Sequence, residues 1–181
     1  GSHKNARNEV NNRLITGKPW SGSLGFCFDP DSCGFGDPAQ IKVTNFVDHP
    51  VTQHLKALQF FACSAFKLPG KSDFFPLAYA GETDQKNPGA PVIVAAKLGK
   101  GKIVAINDVM LFQPFRIEYD DNAQLLWNII NWFSDKPSVK IDKKTFVAGL
   151  PVNEKLMDEI EKEENEGAGD KSAPCRNTVN S

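Results

Sequence analysis

The stretch PVIVAAKLGKGKIVAIND, residues 91–108, decides the fold that the sequence predicts. Two apolar runs, residues 91–98 and 102–107, flank a Gly-Lys-Gly segment, which is the pattern of two β-strands joined by a tight turn. The second run ends in the polar pair Asn107 and Asp108. Because ligands of α/β proteins bind beyond the carboxyl ends of strands, this pair is the first candidate for a functional site.

The segment DDNAQLLWNIINWF, residues 120–133, predicts the clearest helix of the chain. Asp121 is placed to cap its first turn, and Gln124 completes a capping-box pattern. A broad apolar face predicts packing on the core, and its members are Leu125, Leu126, Ile129, Ile130 and Phe133. Strands are expected at residues 41–46, 58–66 and 74–80, and a polar helix at residues 4–15.

Composition predicts how the chain is divided. The 181 residues carry a net charge of -1, which gives no general attraction to nucleic acid, and no apolar run is long enough to span a membrane. The composition indicates a domain at 1–135, a linker at 136–150, an acidic helix at 151–166 and a disordered tail at 167–181. The acidic helix is either a solvated face or a helix that docks a partner.

Two parts of the chain carry a family resemblance. Residues 92–133 (strand, GKGK, strand, polar pair, DNAQLLWNIINWF) and residues 43–66 (VTNFVDHPVTQHLKALQFFACSAF) resemble class I glutamine-amidotransferase-like domains. They are most similar to the non-enzymatic relatives, which include domains of bacterial and archaeal surface or envelope proteins and of gliding-motility and intraflagellar-transport proteins. The resemblance spans roughly residues 4–134.

The resemblance implies a fold and a location. The fold is a three-layer α/β sandwich of the flavodoxin or amidotransferase kind, with a mostly parallel sheet and an antiparallel hairpin at residues 91–107. The family's fold begins with a strand before its first helix, whereas only residues 1–3 precede the expected helix here. That first strand is therefore expected to be missing or replaced. An extracytoplasmic or surface location is favoured, with a cytoplasmic one left open.

The histidines argue against the family's enzymatic activity. The resemblance implies that the enzymes use a cysteine nucleophile followed later in the chain by a histidine and a glutamate. All three histidines here precede Cys63, and Asn107 and Asp108 hold the place of the catalytic histidine. Neither an amide nor an ordinary carboxylate is a good base for a thiol. We therefore expect a non-catalytic module for ligand binding or protein interaction, as part of a larger protein.

The same strand end supplies the candidate binding residues. Asp120 and Asp121 are expected near Asp108 because a short loop separates them. Paired carboxylates there would suit the alternative function, a hydrolase or carbohydrate-active enzyme similar to the trehalose-utilisation branch of the fold. The simpler interpretation is that Asp120 and Asp121 cap the helix. The candidate residues for binding a small molecule, carbohydrate or protein are Asn107, Asp108, Asp120, Asp121, Phe112 and His49.

A metal site is considered in the loop DPDSCGFGDPAQ, residues 29–40. Asp29, Asp31 and Asp37 fall at positions 1, 3 and 9 of a calcium-loop template. Gln40 stands where that template requires a bidentate glutamate. The pattern therefore indicates either turn-forming aspartates or a weak calcium site, and no other cofactor is expected.

The cysteines leave the redox state open. Cys27 and Cys33 flank a loop and are interpreted either as a disulfide pair or as reduced thiols. Cys63 lies in an apolar run and is expected to be a buried thiol.

Overall fold

The computed structural model describes residues 12, 26–32, 40–61, 63–70, 72–81, 88–108 and 110–150. The chain divides into two compact units, Gly1–Ala148 and Gly149–Ser181. The helix expected at 4–15, apart from Asn12, and the segments expected as an acidic helix and a tail at 151–166 and 167–181 lie outside the described residues. All described helices and strands belong to the first unit.

Eight strands and two helices follow one another in the described part of this unit. They are β1 (Cys27–Ser32), β2 (Gln40–Val43), β3 (Asn45–Phe46), β4 (Leu58–Phe61), β5 (Ser64–Lys67), β6 (Phe75–Tyr79), β7 (Pro91–Leu98), β8 (Gly101–Ile106), α1 (Asn122–Phe133) and α2 (Lys143–Ala148). The segment expected as a linker, residues 136–150, contains α2.

Every strand pair among the described residues is antiparallel. β3, β6, β7 and β8 form a four-stranded sheet in that order, while β1 pairs with β5 and β2 pairs with β4. The expectation of a mostly parallel, three-layer sandwich of the flavodoxin or amidotransferase kind is therefore wrong. That expectation followed from the family resemblance, and the apolar runs of the chain could not test it, because they indicate burial on both faces without fixing the direction of the neighbouring strand.

The run at residues 58–66 also differs from its expected structure. The sequence predicts one buried strand there, but the structure has two, β4 and β5, which pair with different partners. Leu58, Phe60 and Cys63 are fully buried, as the apolar composition requires. One apolar run therefore contributes to two separate strand pairs.

β7 and β8 form the hairpin that residues 91–108 predict. Leu98 pairs with Gly101 across the turn. Between them, Gly99 has a φ of 59°, in the left-handed region that glycine adopts without the steric cost of a Cβ. The hairpin places Asn107 and Asp108 directly after β8.

β7 lies between β6 and β8 and separates two apolar clusters. Ile93 and Ala95 belong to the main core, whereas Val94 and Ala96 belong to a second cluster. Alternate side chains of a strand point to opposite faces, so one strand supplies both clusters. The second cluster also contains the buried rings of Phe26, Phe66 and Phe74.

α1 packs on the main core through only part of the apolar face that the sequence predicts. Leu125, Ile129 and Trp132 are buried, but Ile130 and Phe133 are 44% and 48% exposed. Four amide side chains are buried in their place: Asn122, Gln124, Asn128 and Asn131. The orientation of the helix is therefore set by polar side chains that contact loop backbone as well as by apolar packing.

Candidate functional site

Asp108 follows the hairpin and is buried. Its Oδ2 accepts a hydrogen bond from the backbone N–H of Phe61 at 2.6 Å, and its Oδ1 accepts one from the backbone N–H of Met110 at 2.8 Å. Burial raises the pKa of Asp108, although these two donors and the charge of Arg116 act in the opposite direction. Both carboxylate oxygens therefore bind main chain, and they connect the end of the hairpin to the end of β4.

Asp121 has a similar role at the start of β4. Its Oδ2 accepts hydrogen bonds from the backbone N–H groups of Lys56 at 2.6 Å and Ala57 at 3.1 Å. Within the described part of the chain, its side chain forms no capping bond to α1. The expected capping box of Asp121 and Gln124 is therefore wrong, because the carboxylate binds a neighbouring segment instead of the helix amides.

Asn122, which follows Asp120 and Asp121 in the sequence, lies between the carboxylates of Asp108 and Asp121 along β4. Its Oδ1 accepts a hydrogen bond from the backbone N–H of Gln59 at 3.2 Å, and its Nδ2 donates one to the carbonyl of Gln59 at 3.2 Å. Its Nδ2 also donates to the carbonyl of Arg116 at 3.1 Å. The amide thus offers Gln59 the donor and acceptor that a neighbouring strand would offer.

Together, these side chains occupy one edge of β4, and we call them the edge clamp; its members are Asp108, Asp121 and Asn122. They bind Phe61, Ala57 and Gln59, which are alternate residues and so direct their backbone groups to one side. β4 pairs with β2 along its other edge. Side chains therefore satisfy backbone groups that would otherwise form an open strand edge.

The structure does not bring the candidate carboxylates together. Asp108 and Asp121 bind backbone groups four residues apart, at Phe61 and Ala57, which is about 13 Å along an extended chain. Asp120 has a third partner, since its carboxylate accepts a hydrogen bond from Nζ of Lys42 at 3.0 Å. The three carboxylates hold different segments of backbone or side chain and share no partner.

Asn107 and Phe112 also make internal contacts. Asn107 is buried, and its Nδ2 donates a hydrogen bond to Oγ of the fully buried Ser64 in β5. Phe112 is half-buried and packs against the main core. Both side chains connect the hairpin and the following loop to the rest of the domain.

His49 packs against aromatic rings of β6 and α1. Its ring contacts the rings of Phe75 and Trp132, with centroid distances of 5.5 and 5.3 Å, and its Nδ1 accepts a hydrogen bond from the backbone N–H of Val51. Burial lowers the pKa of His49, and the charge of Lys97 lowers it further. Both effects favour the neutral ring.

The calcium hypothesis can be examined at Asp29 alone. This carboxylate is 5% exposed and forms an ion pair with Nζ of Lys67 at 3.2 Å. Asp31 and Asp37 belong to the segment whose side chains lie outside the described residues, as does Cys33, the residue considered as a disulfide partner of Cys27. Among the side chains that the structure describes, no group of three or more metal-binding residues occurs.

A surface cavity of about 410 Å³ lies where α1 ends, and sequence reasoning did not predict it. We call it the lysine pocket; its lining includes Lys97, Lys102, Lys136, Trp132, Asp135 and Pro137. Of the six candidate binding residues, none is among the described residues that line it. The lysines come from β7, β8 and the segment after α1, so no local spacing in the sequence links them.

Aromatic rings form a continuous row beside this pocket. Phe75 contacts His49, His49 contacts Trp132, and Trp132 contacts Phe133, with centroid distances between 5.3 and 5.7 Å. We call these four residues the aromatic strip. Trp132 is buried and belongs to both the strip and the lysine pocket, whereas Phe75 and Phe133 are exposed at the ends of the strip.

Comparison with solved structures gives a similarity of fold. A structure titled "mmIFT52 N-terminal domain" matches with a TM-score of 0.52 and 11% sequence identity, over 67% of this chain. The match spans 58% of the length of that structure. No protein-family model matches the sequence, and no curated protein matches it either.

These comparisons correct the family resemblance. The assignment to class I glutamine-amidotransferase-like domains is wrong, since no family model supports it and the matching structure is an IFT52 N-terminal domain. The antiparallel strand pairs agree with this correction. In the part of the chain that the structure describes, no helix is both long and apolar enough to cross a membrane.

Proposed function

We propose that this chain is a non-catalytic protein-interaction module that binds its partner on the aromatic strip. The observation that carries the proposal is the exposure of two aromatic side chains on one continuous row of rings. Phe75 and Phe133 are 37% and 48% exposed, and His49 and Trp132 connect them. Exposed aromatic side chains on one connected cluster of rings are typical of interaction sites.

The anchoring of the strip supports binding. Trp132 is only 6% exposed and packs in the main core, so the centre of the strip is held rigidly. Aromatic side chains that are already ordered lose little conformational freedom when a partner covers them. Aromatic residues are also the ones that contribute most at the centres of protein interfaces.

The edge clamp supports the non-catalytic part of the proposal. Asp108 accepts two main-chain hydrogen bonds through its two oxygens, and Asp121 accepts two through one oxygen. A general acid or base must reach the proton that it transfers, and in catalytic pairs the two carboxylates face one substrate. Carboxylates that hold separate backbone groups are better explained as structural.

The proposal is tested by the set of proteins that the full chain captures. Wild type is compared with two double variants. The strip variant combines Phe75→Ser with Phe133→Ser. The control variant combines Tyr119→Ser with Val139→Ser, which removes one aromatic and one aliphatic side chain, each 49% exposed, outside the strip. Quantitative mass spectrometry of the captured proteins identifies those that the control retains and the strip variant loses.

We expect a protein that wild type and control capture equally and that the strip variant captures at least about tenfold less, as for the loss of central interface residues. Circular dichroism first establishes that both variants are folded. Equal capture by the strip variant, or equal loss in both variants, would contradict the proposal.

A further inference from the structure

The lysine pocket lies directly beside the aromatic strip. Its volume of about 410 Å³ falls within the range of known ligand sites. Trp132 belongs to both features, and Pro50, the neighbour of His49 in sequence, also lines the pocket. A segment of a partner protein that covers the aromatic strip would therefore also reach the lysine pocket.

The pocket carries an excess of positive charge. Its lining includes three lysines and one aspartate. That aspartate, Asp135, is paired with Lys102, whose Nζ also donates to the carbonyl of Trp132 at 2.6 Å. Within the described part of the chain, the ammonium groups of Lys97 and Lys136 form no ion pair or hydrogen bond. The ammonium groups of Lys97 and Lys136 are thus available to bind an anionic ligand.

The carbonyls at the end of α1 have hydrogen-bond donors within the protein. Its last carbonyls are occupied by backbone donors, since Ser134 binds Ile130, Asp135 binds Trp132, and Lys136 binds Asn131. Lys102 covers the Trp132 carbonyl and lies 5.5 Å from the centre of the Trp132 ring. These carbonyls of the helix end are therefore hydrogen-bonded within the protein.

We infer that the lysine pocket binds an acidic segment of the partner protein, with a carboxylate between Lys97 and Lys136 and an apolar side chain on the aromatic strip. This inference rests on the proposed function, because it names the chemistry of the partner that the strip binds. The two lysines are exposed, and the pocket continues into an apolar surface. An extended peptide that carries both acidic and apolar side chains fits this combination better than a small anion does, because a small anion requires an enclosed site.

The test uses the full chain and two synthetic peptides. One peptide consists of glutamates around a single leucine, and the other replaces every glutamate with glutamine. The pocket variant combines Lys97→Gln with Lys136→Gln. The matched control combines Lys140→Gln with Lys144→Gln, which removes the same charge from two exposed lysines outside the lining residues.

Isothermal titration calorimetry measures the affinity of each peptide. We expect the glutamate peptide to bind wild type and control equally, and the pocket variant about fivefold or more weakly, as for two exposed ion pairs. Added salt should weaken this binding, because exposed charges are screened. Equal binding of the glutamine peptide, or equal affinity of the pocket variant, would overturn the inference.

Inorganic phosphate separates a small-anion site from a peptide site. If phosphate binds the pocket more tightly than the glutamate peptide does, the inferred partner is wrong. Failure of the glutamate peptide to bind also defeats the inference, but the proposed function then stands if the strip variant still loses its captured protein. Conversely, if the strip variant captures the same protein as strongly as wild type does, the proposed function is wrong, even if the glutamate peptide binds the pocket.

Discussion

Asn122 binds both backbone groups of Gln59, accepting from its N–H and donating to its carbonyl, each at 3.2 Å. Asn12 does the same to Phe28 in β1, where it accepts a hydrogen bond at 2.6 Å and donates one at 2.7 Å. In both cases an asparagine side chain takes the place of a strand. The domain thus uses side-chain amides to complete its short strands.

Replacing Asn122 should therefore destabilise the domain. Asn122→Ala leaves the N–H and carbonyl of Gln59 without these partners in a partly buried position, so we expect the free energy of unfolding to fall by about 1–3 kcal/mol. Asn131→Ala is the matched control on the same helix, because the Nδ2 of Asn131 has no hydrogen-bond partner among the described residues. The control should lose less than about 1 kcal/mol. Urea unfolding measures both, and equal losses would show that Asn122 has no special role.

The sequence predicted local structure better than strand pairing. The hairpin at residues 91–108 and the helix at residues 120–133 have local signals, namely a glycine turn and a long periodic segment. Strand direction depends on contacts between distant segments, such as the pairing of β2 with β4. A single apolar run gives no information on those contacts, so the chain's own pattern could not correct the parallel sheet that the family resemblance implied.

The candidate site shows a similar division. The sequence places Asp108 directly after a strand and Asp121 directly before a helix. The partners of both carboxylates are backbone groups at the two ends of β4, and no sequence motif identifies those partners. A row of amides in α1, Asn122, Gln124, Asn128 and Asn131, was the available signal for a polar buried face. The lysine pocket had no such signal, because its lysines come from three separate segments.

Asp108 should give the domain a pH dependence below neutrality. Burial raises the pKa of Asp108 above its ordinary value of 3.8, so the folded state binds the proton more tightly than the unfolded state. The contribution of this group to stability is full below pH 3.8 and is lost as pH rises through the raised pKa. Asp108→Asn does not titrate, so the stability of wild type relative to this variant should fall as pH rises from 3.8 through the raised pKa. Urea unfolding across that range measures the difference, and a constant or rising difference would contradict the raised pKa.

His49 should act at slightly higher pH and in the opposite direction. Its pKa is lowered below the ordinary value of 6.5 by burial and by Lys97, so the unfolded state binds the proton more tightly. Stability should be full above pH 6.5 and should decrease as pH falls toward the lowered pKa. His49→Asn should reduce the slope of melting temperature against pH between 7.5 and 5.5, whereas substitution of the exposed His54 by Asn should leave it in place. An unchanged slope in His49→Asn would rule out this histidine as its source.

Lys102 should stabilise the end of α1. Its Nζ donates to the Trp132 carbonyl at 2.6 Å, and its side chain is only 14% exposed. Lys102→Met keeps the aliphatic stem but removes the charged donor, so we expect a loss of about 1–2 kcal/mol. Lys100→Met, in the exposed hairpin turn, is the control and should change stability by less than about 0.5 kcal/mol. Thermal unfolding checks both, and equal effects would mean that the carbonyl contact contributes nothing.

The central claim is that the aromatic strip binds a protein partner. Its most direct test is the dissociation constant of the purified, captured partner for three forms of the full chain, measured by calorimetry. We expect Tyr119→Ser with Val139→Ser to bind like wild type, and Phe75→Ser with Phe133→Ser to bind at least about tenfold more weakly. Wild-type affinity in the folded Phe75→Ser, Phe133→Ser variant would contradict the claim.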